Sequence, residues 1–213
     1  MEVLVVGANG QTGSQIVDLL IEREHTVRAM VRKPEQTEEF EKRGAVPVVA
    51  DLEHDIAFAV EGCDAVIFAA GSGAHTGEDK TWAIDRDGAI KVIEACEHNA
   101  VERFVMLSAV GTDAPEQGPE KLIPYLKAKA EADKRLEKSS LNYTIIRPGT
   151  LNDDPESQRI IAQKHLEDKT GQISRSDVAY TIVEALGNTQ TYRKNFEIIG
   201  GGNENIQEAI QKL

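Results

Sequence analysis

The chain has 213 residues, 40% of them hydrophobic and 28% charged, and a formal net charge of −12. A chain of this length buries about 70% of its unfolded surface, so neither a disulfide nor a structural metal is needed to hold it. The acidic balance argues against nucleic acid and against an anionic membrane surface as partners, and no apolar run approaches the ~20 residues of a membrane helix. Cys63 and Cys96 lack CxxC or CxxxC spacing and read as buried thiols in a reducing compartment. With no charged segment leading a long apolar run at the start, a cytoplasmic location is expected.

In chain order, Val3–Val6 is the first of seven short apolar runs. The others are Val27–Val31, Val46–Val49, Ala65–Ala69, Phe104–Leu107, Tyr143–Ile146 and Phe196–Ile199. They are continuous rather than alternating, as strands covered on both faces must be. Between them, apolar residues at helical spacing predict helices over Thr12–Arg23, Lys80–Asn99, Glu120–Lys138 and Ser176–Leu186, the last with Ser176 as its cap. Strand–helix alternation over nearly the whole length predicts an α/β fold with a doubly wound parallel sheet. Residues 1–213 are expected to form a single domain, with 150–172 a small substrate-side excursion. The loops 72–79 and 111–124 follow strand ends, where open α/β sheets bind their ligands.

The first strand runs directly into Gly7-Ala-Asn9-Gly10-Gln11-Thr12-Gly13 and then into a helix. In this GxxGxxG spacing, Gly7 permits a tight turn, Gly10 lets backbone approach a pyrophosphate, and Gly13 allows close helix–strand packing. The N–H groups and partial positive charge of the helix start complete an anion cradle, a Rossmann-type dinucleotide site.

The second strand decides which dinucleotide. An NAD site places a carboxylate about 20 residues past the glycines to hold the ribose 2′-hydroxyl. Here the strand ends Val31-Arg32-Lys33-Pro34, with no carboxylate until Glu35. A guanidinium at Arg32 holds a 2′-phosphate bidentately, with Lys33 as a second charge, so NADP(H) is the expected cofactor. Asp51 and Leu52, after the third strand, either receive the adenine or cap a helix. Ala69, Ala70 and Gly71 offer small residues where backbone can approach the riboses.

GANGQTG (7–13), VRKP (31–34), AD (50–51), FAAG (68–71), LSAVG (107–111), YLKAK (125–129), IIRPG (145–149) and ISRSDVA (173–179) together resemble the atypical short-chain dehydrogenase/reductases. That group includes NmrA-like regulators, flavin- and biliverdin-reductase-like proteins and small epimerase/dehydratase-like proteins. The resemblance covers nearly the full length.

It implies a Tyr–Lys pair, and Tyr125 and Lys129 have the i, i+4 spacing that puts both on one helix face. The Lys would lower the phenol pKa and hold the nicotinamide ribose. The Tyr would exchange a proton with a substrate oxygen during hydride transfer. Ser108 is the candidate third catalytic member, beside the nicotinamide, although the position two residues on, where many extended relatives carry the hydroxyl, is Val110. Pro148 would line the nicotinamide pocket or close a turn. The short stretch after Pro148 favours a small-molecule substrate: a small carbonyl compound, quinone or flavin-like molecule. The alternative is a non-catalytic NADP(H) redox sensor with a protein partner. No metal is expected, since His25, His54, His75, His98 and His165 show no ligand spacing.

Overall fold

The structure, a computed structural model, describes residues 1–73 and 76–213. All seven apolar runs are strands. In chain order the elements are β1 (Glu2–Val6), α1 (Gln11–Glu22), β2 (Thr26–Val31), α2 (Thr37–Lys42), β3 (Val46–Val49), α3 (Ala57–Val60), β4 (Ala65–Phe68) and α4 (Glu78–Lys80). A π-helical stretch, Thr81–Gly88, then leads into α5 (Ala89–His98), β5 (Arg103–Leu107), α6 (Ile123–Glu137), β6 (Asn142–Pro148), β7 (Thr150–Asn152), β8 (Arg159–Gln163) and β9 (Gln172–Ser174). The chain closes with α7 (Arg175–Gly187), β10 (Lys194–Gly200), β11 (Glu204–Asn205) and α8 (Ile206–Gln211).

The main sheet runs β3-β2-β1-β4-β5-β6-β10-β8-β11. Its first seven strands are parallel, and β8 and β11 join antiparallel at one edge. The strand order reverses between β1 and β4, so their carboxyl ends frame the crevice in which a doubly wound sheet takes its ligand.

Period-two alternation splits the core cleanly. Val3 and Val5 of β1 face one apolar layer with Ile16, Leu20, Ile182 and Ile210 from α1, α7 and α8. Leu4 and Val6 face the other, with Val92, Ile93 and Leu136 from α5 and α6. Both faces of β1 are thus buried, which is why its sequence carries no polar alternation. Cys63 and Cys96 are free, buried thiols. Among the described residues no helix is long and apolar enough to cross a membrane.

Two local features differ from the sequence expectation, one leading into α5 and one at the start of α7. The helix over Lys80–Asn99 is π-helical from Thr81 to Gly88, an arrangement frequent at functional sites. The cap of α7 is Ser174, not Ser176: Ser174 has extended backbone, and its hydroxyl accepts from the Asp177 N–H at 3.0 Å, while Ser176 already lies inside the first turn. Over 150–174, β7 pairs with β9 in a separate two-stranded sheet and β8 extends the main one.

Candidate functional site

The glycine loop owes its shape to contacts that no side chain would survive. Gly7 sits at φ +86°, and a Cβ there would lie 2.6 Å from the Ala70 backbone. A Cβ on Gly13 would lie 2.1 Å from the Gly7 carbonyl oxygen. The end of β1, the end of β4 and the first turn of α1 are therefore stacked backbone on backbone. The Gly10 N–H donates to the Gly7 oxygen at 3.0 Å, and Gly10, in extended conformation, precedes α1 with no side-chain cap among the described residues. The first-turn N–H groups of α1, those of Gln11, Thr12 and Gly13, are left for an anion.

Beside this loop lies a cleft of about 340 Å³. Gly7, Asn9 and Gly10 form one wall, and Ala69, Ala70, Gly71 and Ser72 another. Arg32 and Gln36 stand at the end of β2, and Asp51, Leu52 and Glu53 follow β3. Thr76, Lys80 and Ile84 complete the rim. Arg32 and Lys33 are both exposed, but only Arg32 lines the cleft. Asp51 caps no helix: its Oδ1 accepts from the Glu53 N–H at 3.0 Å in a local turn, and the residue lines the cleft. Leu52 is buried, and Lys91 Nζ donates to its carbonyl at 2.6 Å. The rim is braced by Lys80 Nζ, which donates to both carboxylate oxygens of Glu53 at 2.7 and 2.8 Å.

Ser108, Tyr125, Lys129 and Pro148 do not line this cleft; α6, where Tyr125, Lys129 and Asp133 follow one another at four-residue spacing, touches its Ala70 wall through Lys129. Lys129 is 3% exposed, and its ammonium donates to the carbonyls of Leu107 (3.1 Å) and Ala70 (3.3 Å), the ends of β5 and β4. It pairs with Asp85 Oδ1 at 3.4 Å. Asp85, fully buried on the π-helical stretch, accepts the Ser72 N–H on its other oxygen at 3.0 Å. Burial works to lower the Lys129 pKa, but Asp85, Tyr125 and Asp133 outweigh it and raise the value. The ammonium lies 6.0 Å from the centre of the Tyr125 ring. It pulls the phenol pKa down, as the spacing suggested. Burial, reinforced by Asp85 and Asp133, is stronger, and the net Tyr125 pKa is raised.

Ser108 is 3% exposed and its hydroxyl donates to Asp133 Oδ2 at 2.9 Å. The same oxygen accepts from Thr112 Oγ1 (3.2 Å) and from Arg147 Nε and Nη2 (3.0 Å each). Asp133 Oδ1 finds no hydrogen-bond partner among the described residues. Burial raises the Asp133 pKa against the pull of Arg147 and Ser108. The Pro148 carbonyl accepts the Val110 N–H at 3.0 Å, tying the loop after β5 to the end of β6.

Sequence reasoning missed Asp85, Asp133, Gln36 and Lys80. Asp133 had a signal, the continuation of Tyr125–Lys129 by one more helical repeat. Asp85 had none, because its partners lie 13 and 44 residues away in the chain. His75 lies outside the described residues. His165 approaches Asp113 and Glu197 closely enough for shared ligation. The Lys169 ammonium already serves as the cation there, 2.9 Å from Asp113 and 2.7 Å from Glu197.

An anion cradle at an uncapped helix start, glycines that admit backbone only, and a guanidinium at the end of β2 fit a dinucleotide. The comparisons agree. The profile of the NAD(P)H-binding family matches residues 7–189. The chain is 46% identical to a Bacillus subtilis protein described as the uncharacterized sugar epimerase YhfK, over the full length of both. A solved structure from Bacillus halodurans, assigned to the NAD-dependent epimerases/dehydratases, is 44% identical with a TM-score of 0.97 over the whole of both chains. The oxidoreductase ylbE of Lactococcus lactis is 29% identical, with a TM-score of 0.89 over 100% of this chain and 96% of that one. The chain belongs to the NAD(P)H-binding family of Rossmann-fold proteins, in its atypical short-chain dehydrogenase/reductase branch.

Proposed function

We propose that the protein is an NADP(H)-dependent oxidoreductase, or an epimerase/dehydratase working through transient oxidation, on a small carbonyl, quinone or flavin-like substrate. The observation that carries this reading is the placement of Tyr125 and Lys129 on one face of α6, with the Lys129 ammonium fastened to the carbonyl ends of β4 and β5 beside the cleft. When bound, the nicotinamide supplies or accepts a hydride. Tyr125 is the group that moves the matching proton. Its raised pKa keeps it a neutral phenol at physiological pH, the form that donates a proton to a substrate oxygen as the carbonyl is reduced.

Lys129 holds its charge through Asp85 and presents it to Tyr125 and to the nucleotide ribose. Ser108, whose proton is directed to Asp133, acts as an acceptor toward the nicotinamide end rather than as a second donor to the substrate. Gly7, Asn9, Gly10, Gln11, Thr12 and Gly13 hold the pyrophosphate, and Asp51 and Leu52 the adenine. Ala69, Ala70 and Gly71 pass beside the riboses, Pro148 backs the nicotinamide, and Arg32 with Lys33 selects the 2′-phosphate. The chemistry named for YhfK and for the two solved structures supports the reaction class.

Turnover tests the reading. Purified protein with NADPH, offered carbonyls, quinones and flavins, is expected to oxidise the cofactor against at least one class. Tyr125→Phe should lower kcat roughly 10²-fold or more. NADPH binding without turnover, and indifference to Tyr125→Phe, would sink the enzyme reading in favour of a redox sensor that signals to a protein partner. Arg32→Ala tests the cofactor: it should weaken NADPH far more than NADH, and equal losses overturn the 2′-phosphate role.

A further inference from the structure

Among residues 32–36, where the chain leaves β2, Arg32, Lys33, Pro34 and Glu35 are all exposed and only Gln36 is turned inward. Gln36 lines the nucleotide cleft together with Arg32, whereas Glu35, the nearest carboxylate, does not. The short turn Pro34–Gln36 holds the Gln36 side chain by one hydrogen bond and its backbone by another. The Gln36 N–H donates to the Lys33 carbonyl at 3.0 Å, and the Lys33 N–H donates to Gln36 Oε1 at 2.9 Å. Thr37 Oγ1 closes the turn on the Pro34 carbonyl at 2.9 Å.

This is half of a capping box, in which the third residue of a turn reaches back to the N–H that precedes it. A backbone N–H can only donate, so the side-chain atom facing it must be the oxygen. The orientation of the amide is therefore dictated, and its NH₂ group is left with two protons on the side away from the turn. The corner of the cleft at the end of β2 otherwise consists of Met30, Val31 and the Arg32 guanidinium. The side-chain polar groups that β2 and its turn bring to the cleft, Arg32 and the Gln36 amide, are donors and suit an anion, while the carboxylates of the cleft, Asp51 and Glu53, come from the loop after β3.

We propose that the Gln36 amide is a second donor to the 2′-phosphate of NADP(H) and, with Arg32, sets the preference for NADP(H) over NAD(H). This rests on the NADP(H) reading above and adds to it a residue whose orientation the turn itself imposes. The rival is that Gln36 does no more than cap the turn. Gln36→Glu separates the two, because glutamate is the residue a capping box ordinarily uses and keeps the bond from the Lys33 N–H. It replaces the NH₂ donor with a carboxylate oxygen that repels phosphate.

The experiment is calorimetric titration of the full chain with NADPH and with NADH, alongside thermal unfolding of the free protein. Gln36→Glu is expected to unfold at the parent temperature, to bind NADPH ten- to a hundredfold more weakly, and to bind NADH within about threefold of the parent. Gln36→Ala, which loses cap and donor, should lower both the unfolding temperature and NADPH affinity. Unchanged NADPH affinity in Gln36→Glu, or equal losses of the two nucleotides, overturns the proposal. Arg32→Ala, run in parallel, keeps the failures apart. If it leaves the NADPH-to-NADH ratio unchanged, the NADP(H) reading itself falls. If it lowers the ratio while Gln36→Glu does not, only the role of Gln36 falls.

Discussion

Asp133 concentrates four donor contacts, from Ser108, Thr112 and two nitrogens of Arg147, on one buried oxygen. Arg147 is 6% exposed, and that carboxylate is its near partner, with Glu137 Oε1 further off at 3.9 Å. Asp133→Leu should therefore cost about 3–5 kcal/mol, measured by urea unfolding, because it leaves a buried guanidinium with only the distant, part-exposed Glu137. The pH dependence has a definite sign. Burial raises the folded pKa of Asp133 above its usual 3.8, so the native state holds this proton more tightly than the unfolded chain does. That contribution is full below the unfolded value and is lost as pH rises toward the folded one. The stability advantage of the parent over Asp133→Asn, which cannot ionise, should accordingly shrink as pH is raised from about 4; an advantage that grows would contradict the shift. Tyr125 obeys similar logic in activity: as a general acid with a raised pKa, it should keep the rate of reduction level up to the ordinary tyrosine value of about 10, with the alkaline limb beyond it. At this scale Tyr125, Lys129 and Arg32 were legible because each belongs to a short local spacing. The tie from Ser108 to Asp133 spans 25 residues and the pairing of Lys129 with Asp85 spans 44, and no local pattern announces contacts that only the sheet brings together.

Among the elements, the glycine loop and α1 act as one piece. A methyl group on Gly13 would collide with a backbone carbonyl, not with the end of a flexible side chain, so α1 must shift bodily off the sheet. Gly13→Ala is expected to lower stability by roughly 1–3 kcal/mol. The same shift misaims the first-turn N–H groups, and NADPH affinity should drop by more than the stability change alone accounts for, which titration on still-folded protein can read. The π-helical stretch is a second such piece. It presents Asp85 to Lys129 and to the Ser72 N–H at once, joining the loop after β4 to α6. The seven strands of the parallel sheet were readable because continuous β-branched runs have few alternatives in a chain of this length, although the edge strand β3 leaves Val46 and Val49 exposed instead of covered on both faces. The remaining strands were not. β8 reads Arg-Ile-Ile-Ala-Gln and alternates between buried and exposed at the sheet edge, while β7, β9 and β11 span two or three residues, too few for any period to show.

For the whole molecule, the two apolar layers hold the sheet rigid while the carboxyl ends of β1 to β4 converge on one cleft. The protein carries a net charge of −12 and its proposed cofactor is an anion, so the attraction must be local: an uncapped helix start and the donors at the end of β2. A ligand that binds only the folded chain stabilises it by RT ln(1 + [L]/Kd), about 2.7 kcal/mol at a hundred times Kd. For a chain of about 200 residues, each kcal/mol raises the unfolding temperature by roughly 2–4 °C. NADPH at that excess should therefore raise it by roughly 5–10 °C, and NADH at the same concentration by clearly less, because its Kd is larger by the lost 2′-phosphate contacts. In Arg32→Ala the two shifts should converge on the smaller one. Equal shifts in the parent would mean that the end of β2 does not discriminate between the nucleotides. No shift with either would mean that the stacked glycines serve packing alone.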